Sequence, residues 1–245
     1  MSWWAHRLSV VRGFATYLHT IDPATRVPPR DLLPARRRRA TPYLYSDDEI
    51  NALIAAAGKL RFPLRVATYQ TLIGLLAVTG LRVGEADRGD IDFEHGLLIV
   101  RNSKFGKSRE VPLHPTTVEA LRGYLRRRDR LHPAPSTPAV FISIAGSRLL
   151  YCNVNWTFLQ LVRAAGLEPR SASCRPRLHD LRHSFAVRSL LDCYRAGGEA
   201  AARLPLLSTY LGHVDPGTTY WYLSAAPELL GLAGQRLERS LGGRQ

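Results

Sequence analysis

Residues 91–113 limit this chain more than any other stretch. Three short runs, 91–93, 97–101 and 110–113, read as strands. The turns between them are Glu94-His95-Gly96 and residues 103–108. Connections that short leave room only for antiparallel neighbours, because a parallel crossover needs about a dozen residues or more. Most of the chain on either side reads as helix. The predicted fold class is therefore mainly α with a small antiparallel β-sheet, an α+β arrangement.

The helical signals come in order. Residues 1–22 place Leu8, Val11, Phe14, Ala15 and Leu18 on one face. Pro23, Pro28, Pro29 and Pro34 then forbid continuous helix. Ser46-Asp47-Asp48-Glu49 is a capping-box pattern ahead of Ile50, Leu53 and Ile54. A second helix, 63–78, is apolar nearly all round and so predicted to be buried, with Gly80 ending it. Residues 116–130 form a helix with Val118, Leu121, Tyr124 and Leu125 inward; 140–142 is a short strand; 153–165 is a helix stopped by Gly166. The last amphipathic helix is 227–241, with Leu229, Leu230, Ala233 and Leu237 on one side. The proline- and arginine-rich stretch marks the expected boundary between a segment 1–40 and a domain 41–245.

Charge narrows the partner. The formal net charge is +14, and all but three of the 34 Lys and Arg residues are arginine. Such a balance favours a polyanion, most often nucleic acid. Arg36, Arg37, Arg38 and Arg39 form a basic run that reads either as a solvated linker or as a strap across a phosphate backbone. No window approaches the roughly 20 apolar residues that span a membrane, and no signal peptide is evident. Cys152, Cys174 and Cys193 are odd in number and scattered, which favours a reducing compartment over a disulfide framework.

The candidate chemistry lies in five places: Thr79-Gly80-Leu81-Arg82-Val83-Gly84-Glu85; Lys104 ahead of Arg109-Glu110-Val111-Pro112-Leu113; His179-Asp180-Leu181-Arg182-His183; Leu211-Gly212-His213; and Tyr222. Singly, each is weak. In this order they resemble the tyrosine recombinases, the phage integrase family, from about Arg7 to the C-terminus. The resemblance implies that Arg82, Lys104, His179, Arg182, His213 and Tyr222 are catalytic, with Tyr222 the nucleophile. Tyr220 is the competing tyrosine, and Tyr210 looks like a packing residue. Glu85 is expected to orient Arg82 or cap its turn. Lys107 joins Arg36–Arg39 as a candidate DNA contact. The family pattern further implies that 1–40 is the remnant of a helical core-binding domain plus a basic linker, truncated at its start. It implies a catalytic domain over 41–245, self-association on DNA through the C-terminal helix, and a cytoplasmic, nucleoid-associated protein of bacterial or phage origin.

The residue types suit the expected reaction. In-line displacement at a phosphodiester builds charge on the nonbridging oxygens, and two arginines offer planar forks that match them. No metal, ATP or other cofactor is then implied. A phenol with a pKa near 10 needs help to attack, and a lysine on a turn can protonate the leaving 5′ oxygen. The phosphotyrosine bond keeps the energy of the broken phosphodiester for rejoining. Rival readings are a type IB topoisomerase-like nicking and closing activity, or a DNA-binding protein of this fold that no longer recombines. A metal hydrolase using His179, His183 and His213 is a weaker rival, because Arg182 would oppose a cation and the glutamate of H-E-x-x-H is replaced by Asp180.

Overall fold

The computed structural model describes residues 3–33, 40–101, 106, 108–212 and 231. The chain divides into two compact units, Met1–Ala40 and Thr41–Gln245.

In the first unit, α1 (Trp3–Ile21) is followed by a return segment. Arg12 ties that segment back, donating from Nε to the carbonyl of Pro28 (2.9 Å) and from Nη2 to that of Pro29 (2.7 Å). The predicted apolar face needs correction. Ala5 and Ala15 are buried, with Leu8, Arg12 and Leu18 half-buried beside them, whereas Val11 and Phe14 are 53% and 62% exposed. Only a narrow stripe is covered, and the stem of Arg12 occupies part of it so that its head can reach two prolyl carbonyls.

In the second unit, α2 (Asp47–Ala57) begins with the predicted capping box. Ser46 Oγ accepts from the Glu49 N–H, and Glu49 Oε2 accepts from the Ser46 N–H (2.8 Å). The next helix, α3 (Pro63–Thr79), starts on a proline whose missing N–H costs nothing at that position. It buries residues all round, from Leu64 to Thr79, and forms the centre of the main core. The sheet then follows as β1 (Ile91–Asp92), β2 (Leu97–Val100) and β3 (Arg109–Pro112), antiparallel in the order β1-β2-β3. Pairs such as Leu98↔Val111 place both side chains, fully buried, on the core face. Around this lie α4 (Pro115–Leu131) and α5 (Tyr151–Ala164).

The strand expected at 140–142 does not form. Val140 and Ile142 are buried, but the chain from Ala139 to Ile142 makes only isolated bridges, Asp87↔Ala139 and Ile142↔Arg148. The Val140 N–H goes to the carbonyl of Ala86 (3.1 Å), and a tight turn closes from Ser143 to Ser147 (2.8 Å). These two N–H groups are satisfied without a ladder.

Two further helices complete the unit, α6 (Asp180–Arg195) and α7 (Ala200–Leu211). They share a smaller core built on Leu190, Leu204, Leu207 and Leu211, joined to the main one at Tyr210. Pro205 lies inside α7 and gives no helical signal in the sequence. The extended chain at Tyr45 is pinned to the start of α6, its N–H donating to Ser184 Oγ (2.8 Å) and its hydroxyl to the carbonyl of Arg177 (3.1 Å). The predicted helix 227–241, apart from Gly231, lies outside the described residues.

Candidate active site

The end of α3 and the start of α6 build the site. Gly80 ends α3 in the left-handed conformation, with φ +62°. It is doubly required, since a Cβ there would stand 2.6 Å from Phe185 Cδ1. The chain then turns through Arg82 and Glu85. Glu85 does both things the sequence suggested: Oε2 accepts the backbone N–H of Arg82 (2.9 Å), and Oε1 accepts Arg82 Nη1 (2.9 Å). Burial alone would push the Glu85 carboxyl up. Hydrogen bonds from Arg109 and from the Arg82 backbone, with the nearby guanidinium charges, hold it below the usual carboxylate range.

Arg182, in the first turn of α6, is only 2% exposed. Its Nη1 donates to the carbonyl of Gly80 (2.7 Å), and its Nη2 to that of Leu211. These carbonyls close α3 and α7, where helix ends leave acceptors unfilled and carry partial negative charge. One guanidinium therefore fastens two helix ends while standing at the head of a third.

His179 is the N-cap of α6 and makes no side-chain capping bond. Burial of the ring, then the charges of Arg182, Arg82 and Arg177, hold its pKa down to about 4. The residue as a whole is exposed, so the three cationic neighbours are the firmer cause of the direction. His179 is thus neutral at pH 7, able to accept a proton or to donate its N–H. In the DNA-free protein its ring is expected to titrate well below the ordinary 6.5. Since the folded pKa lies below the unfolded one, protonation of His179 opposes folding as pH falls from about 6.5 through 4. Nitrogen-15 shifts of the ring would read the midpoint directly; a midpoint near 6.5 would show that the guanidiniums do not crowd it.

Asp180 is fully buried and held by a fork from Arg177, with Nε to Oδ2 at 2.9 Å and Nη2 to Oδ1 at 3.0 Å. Burial nonetheless raises its carboxyl above the usual range. His183 stands edge-on to His179, ring centres 4.8 Å apart, with Nε2 3.9 Å from Asp180 Oδ1. The carboxylate between the two histidines is thus committed to Arg177, the reverse of what a metal-hydrolase base would need.

Arg82, His179 and Arg182 meet at one cavity of about 180 Å³, with Leu76, Leu81 and Leu178 on its apolar side. Larger hollows lie elsewhere, of about 250 Å³ beside Trp156, about 450 Å³ beside Thr71 and about 360 Å³ between His114 and Arg203, but none of these three brings two arginines and an imidazole together. Of the other candidates, Lys104, Lys107, His213, Tyr220, Tyr222 and Arg36, Arg37, Arg38 and Arg39 lie outside the described residues. Among the described residues no group of three His, Cys, Asp or Glu could hold a metal ion, and no helix is long and apolar enough to cross a membrane. One neighbour escaped the sequence reading: Arg109 donates from Nη2 to Glu85 Oε2 (2.8 Å). Its position, opening the strand after the hairpin turn, was visible, but no local pattern links it to Glu85.

The phage integrase family model matches residues 44–228. The Sinorhizobium fredii protein named as integrase/recombinase y4rB is 47% identical over 248 residues, covering 97% of this chain and 79% of that one. The tyrosine recombinase XerC of Azotobacter vinelandii is 31% identical over 221 residues, covering 89% and 68%. The crystal structure of a XerA recombinase superposes with a TM-score of 0.62 at 26% identity, over 97% of this chain and 74% of that one.

Proposed function

This chain belongs to the phage integrase family, the tyrosine recombinases, and from that membership we propose that it cleaves and rejoins DNA at specific sites through a 3′-phosphotyrosyl intermediate, without metal or ATP. The observation that carries the reading is the convergence of Arg82, His179 and Arg182 on one small cavity. The scissile phosphate occupies that cavity. Arg82 reaches it from the rim, its guanidinium making hydrogen bonds through Nη1 alone among the described residues. Arg182 approaches from the wall, adding positive charge where the nonbridging oxygens gain negative charge. Tyr222 Oη attacks phosphorus, losing its proton to neutral His179 or to a phosphate oxygen, and the bond from phosphorus to the 5′ oxygen breaks. Lys104 delivers a proton to that oxygen, and His213 hydrogen-bonds the phosphate. A 5′ hydroxyl of another strand reverses the sequence.

The basic surplus supports double-stranded DNA as the substrate. In the same reading, residues 1–40 are a remnant of a core-binding domain with Arg36–Arg39 as its phosphate-contacting linker, 41–245 is the catalytic domain, and the helix at 227–241 joins protomers on DNA. The test is trapping on a nicked suicide substrate in the presence of chelator. A covalent protein–DNA adduct supports the proposal. DNA binding without adduct would favour a protein that no longer recombines. Adduct with relaxation of supercoils but no exchange between sites would favour topoisomerase-like action.

The role of Lys104 has its own chemical signature. Lys104→Ala should slow cleavage of an ordinary phosphodiester by about 10²–10⁴-fold, the usual worth of a general acid. A 5′-phosphorothiolate at the scissile position should restore it, because a thiolate leaves without a proton. If Lys107→Ala shows that rescue and Lys104→Ala does not, the acid is Lys107.

A further inference from the structure

We infer that Arg109 is a positioning residue for strand cleavage: through Glu85 it fixes the direction of Arg82, and with its remaining edge it seats the turn at Gly212 that leads into His213. The inference rests on the recombinase reading proposed above.

Arg109 opens β3, yet its side chain is only 8% exposed. The Glu85 carboxylate, 9% exposed, is shared: Oε1 takes Arg82 Nη1, and Oε2 takes both Arg109 Nη2 and the Arg82 backbone N–H. With both oxygens engaged, Glu85 cannot rotate without breaking a bond to one arginine or the other. The direction of Arg82 is thereby set by a residue on the neighbouring sheet.

The opposite edge of the guanidinium faces the end of α7. A Cβ on Gly212 would stand 2.9 Å from Arg109 Nη1 and 3.6 Å from Nε, so the planar group lies against bare backbone. Gly212 is left-handed as well, with φ +66°. Both features bar a larger residue. The preceding carbonyl, that of Leu211, is held by Arg182. Two guanidiniums therefore meet at the same turn, that of α6 bonded to its carbonyl and that of β3 lying against its backbone, where the negative end of α7 favours them. Arg109 Nε and Nη1 are buried and make no hydrogen bond among the described residues. A simple anchor for Glu85 would need one N–H. A fork with two further donors buried at the turn into a candidate phosphate ligand is instead placed to order that turn.

The test compares single-turnover cleavage by the parent, Arg109→Met and Arg109→Lys on a suicide substrate, with DNA affinity and melting temperature measured beside it. Arg109→Met should cleave 10- to 100-fold more slowly while DNA affinity changes less than threefold. Arg109→Lys, which keeps the charge and a bond to Glu85, should recover part of the rate and serves as the readout if Arg109→Met folds poorly. A merely structural role is separated by the substrate. A methylphosphonate at the scissile position removes the nonbridging charge that Arg82 serves, so the ratio of parent to variant rates should contract to within about threefold. Combining Arg109→Met with Glu85→Gln should cost no more than the worse single change. Equal slowing on phosphate and methylphosphonate, or additive losses with Glu85→Gln, would overturn the inference. Absence of adduct from the parent itself would instead overturn the recombinase reading on which it rests.

Discussion

Tyr222→Phe is expected to bind DNA as the parent does and to form no covalent adduct, a loss of at least about 10⁴-fold, the scale seen when a nucleophile is removed elsewhere. Only the attacking oxygen is deleted; the ring remains. The choice among nearby tyrosines is sharpened by Tyr210, half-buried on α7. Its ring stacks on Phe185 with centroids 5.5 Å apart. Burial pushes its hydroxyl up to about 12, against the lowering charges of Arg109 and Arg182. Stacked on Phe185 and packed against both cores, Tyr210 sits as a packing group, in keeping with its place just ahead of Leu211-Gly212-His213. Tyr220 remains the competitor. Adduct retained by Tyr222→Phe and lost by Tyr220→Phe, on the same suicide substrate, would move the nucleophile two residues back.

What could be read in advance follows the range of the interactions. The capping box at Ser46 and Glu49 is a contact between residues three apart, and Gly80 is a backbone requirement at one position; both announce themselves locally. The three strands did so too, because short turns leave little choice of partner. The pairing of Arg82 with Glu85 is likewise local. By contrast, the bonds from Arg182 to Gly80 and Leu211 span 102 and 29 residues, and that from Arg109 to Glu85 spans 24. No periodicity encodes them. α7 was hidden for another reason: Pro205 removes one helical hydrogen bond, and burial of Leu204, Leu207 and Leu211 against α6 offsets the loss. Val140 and Ile142 are apolar and buried, but their pattern could not reveal that the chain there forms isolated bridges in place of a strand. Val11 and Phe14 show the same limit, since periodicity finds a helix face but not the width of what covers it.

Arg82→Lys and Arg182→Lys should fail alike in cleavage and differ in stability. At Arg82, lysine keeps the charge but cannot offer two parallel N–H groups to the phosphate; at Arg182 it cannot stay bonded to both carbonyls while presenting its charge to the cavity, so each variant should lose about 2–4 kcal/mol of transition-state stabilisation, roughly 30- to 1000-fold in rate. For Arg82 the damage should end there. Its side chain is 28% exposed, and Glu85 keeps its bond to Arg109. The melting temperature should stay within about 2 °C of the parent, because a pair reaching solvent adds little net stability. Arg182 is different, being buried and joined to the carbonyls of Gly80 and Leu211. A lysine there satisfies at most one of them in the same geometry. An unsatisfied buried carbonyl costs about 1–3 kcal/mol, and a chain of this size loses roughly 2–4 °C per kcal/mol, so Arg182→Lys should melt about 2–12 °C lower. Thermal unfolding and single-turnover cleavage on the same preparations separate the two roles. Near-parent cleavage by Arg82→Lys would remove that residue from the site. Parent-like melting of Arg182→Lys would mean that the ends of α3 and α7 are held by something other than this guanidinium, leaving phosphate stabilisation as its whole contribution.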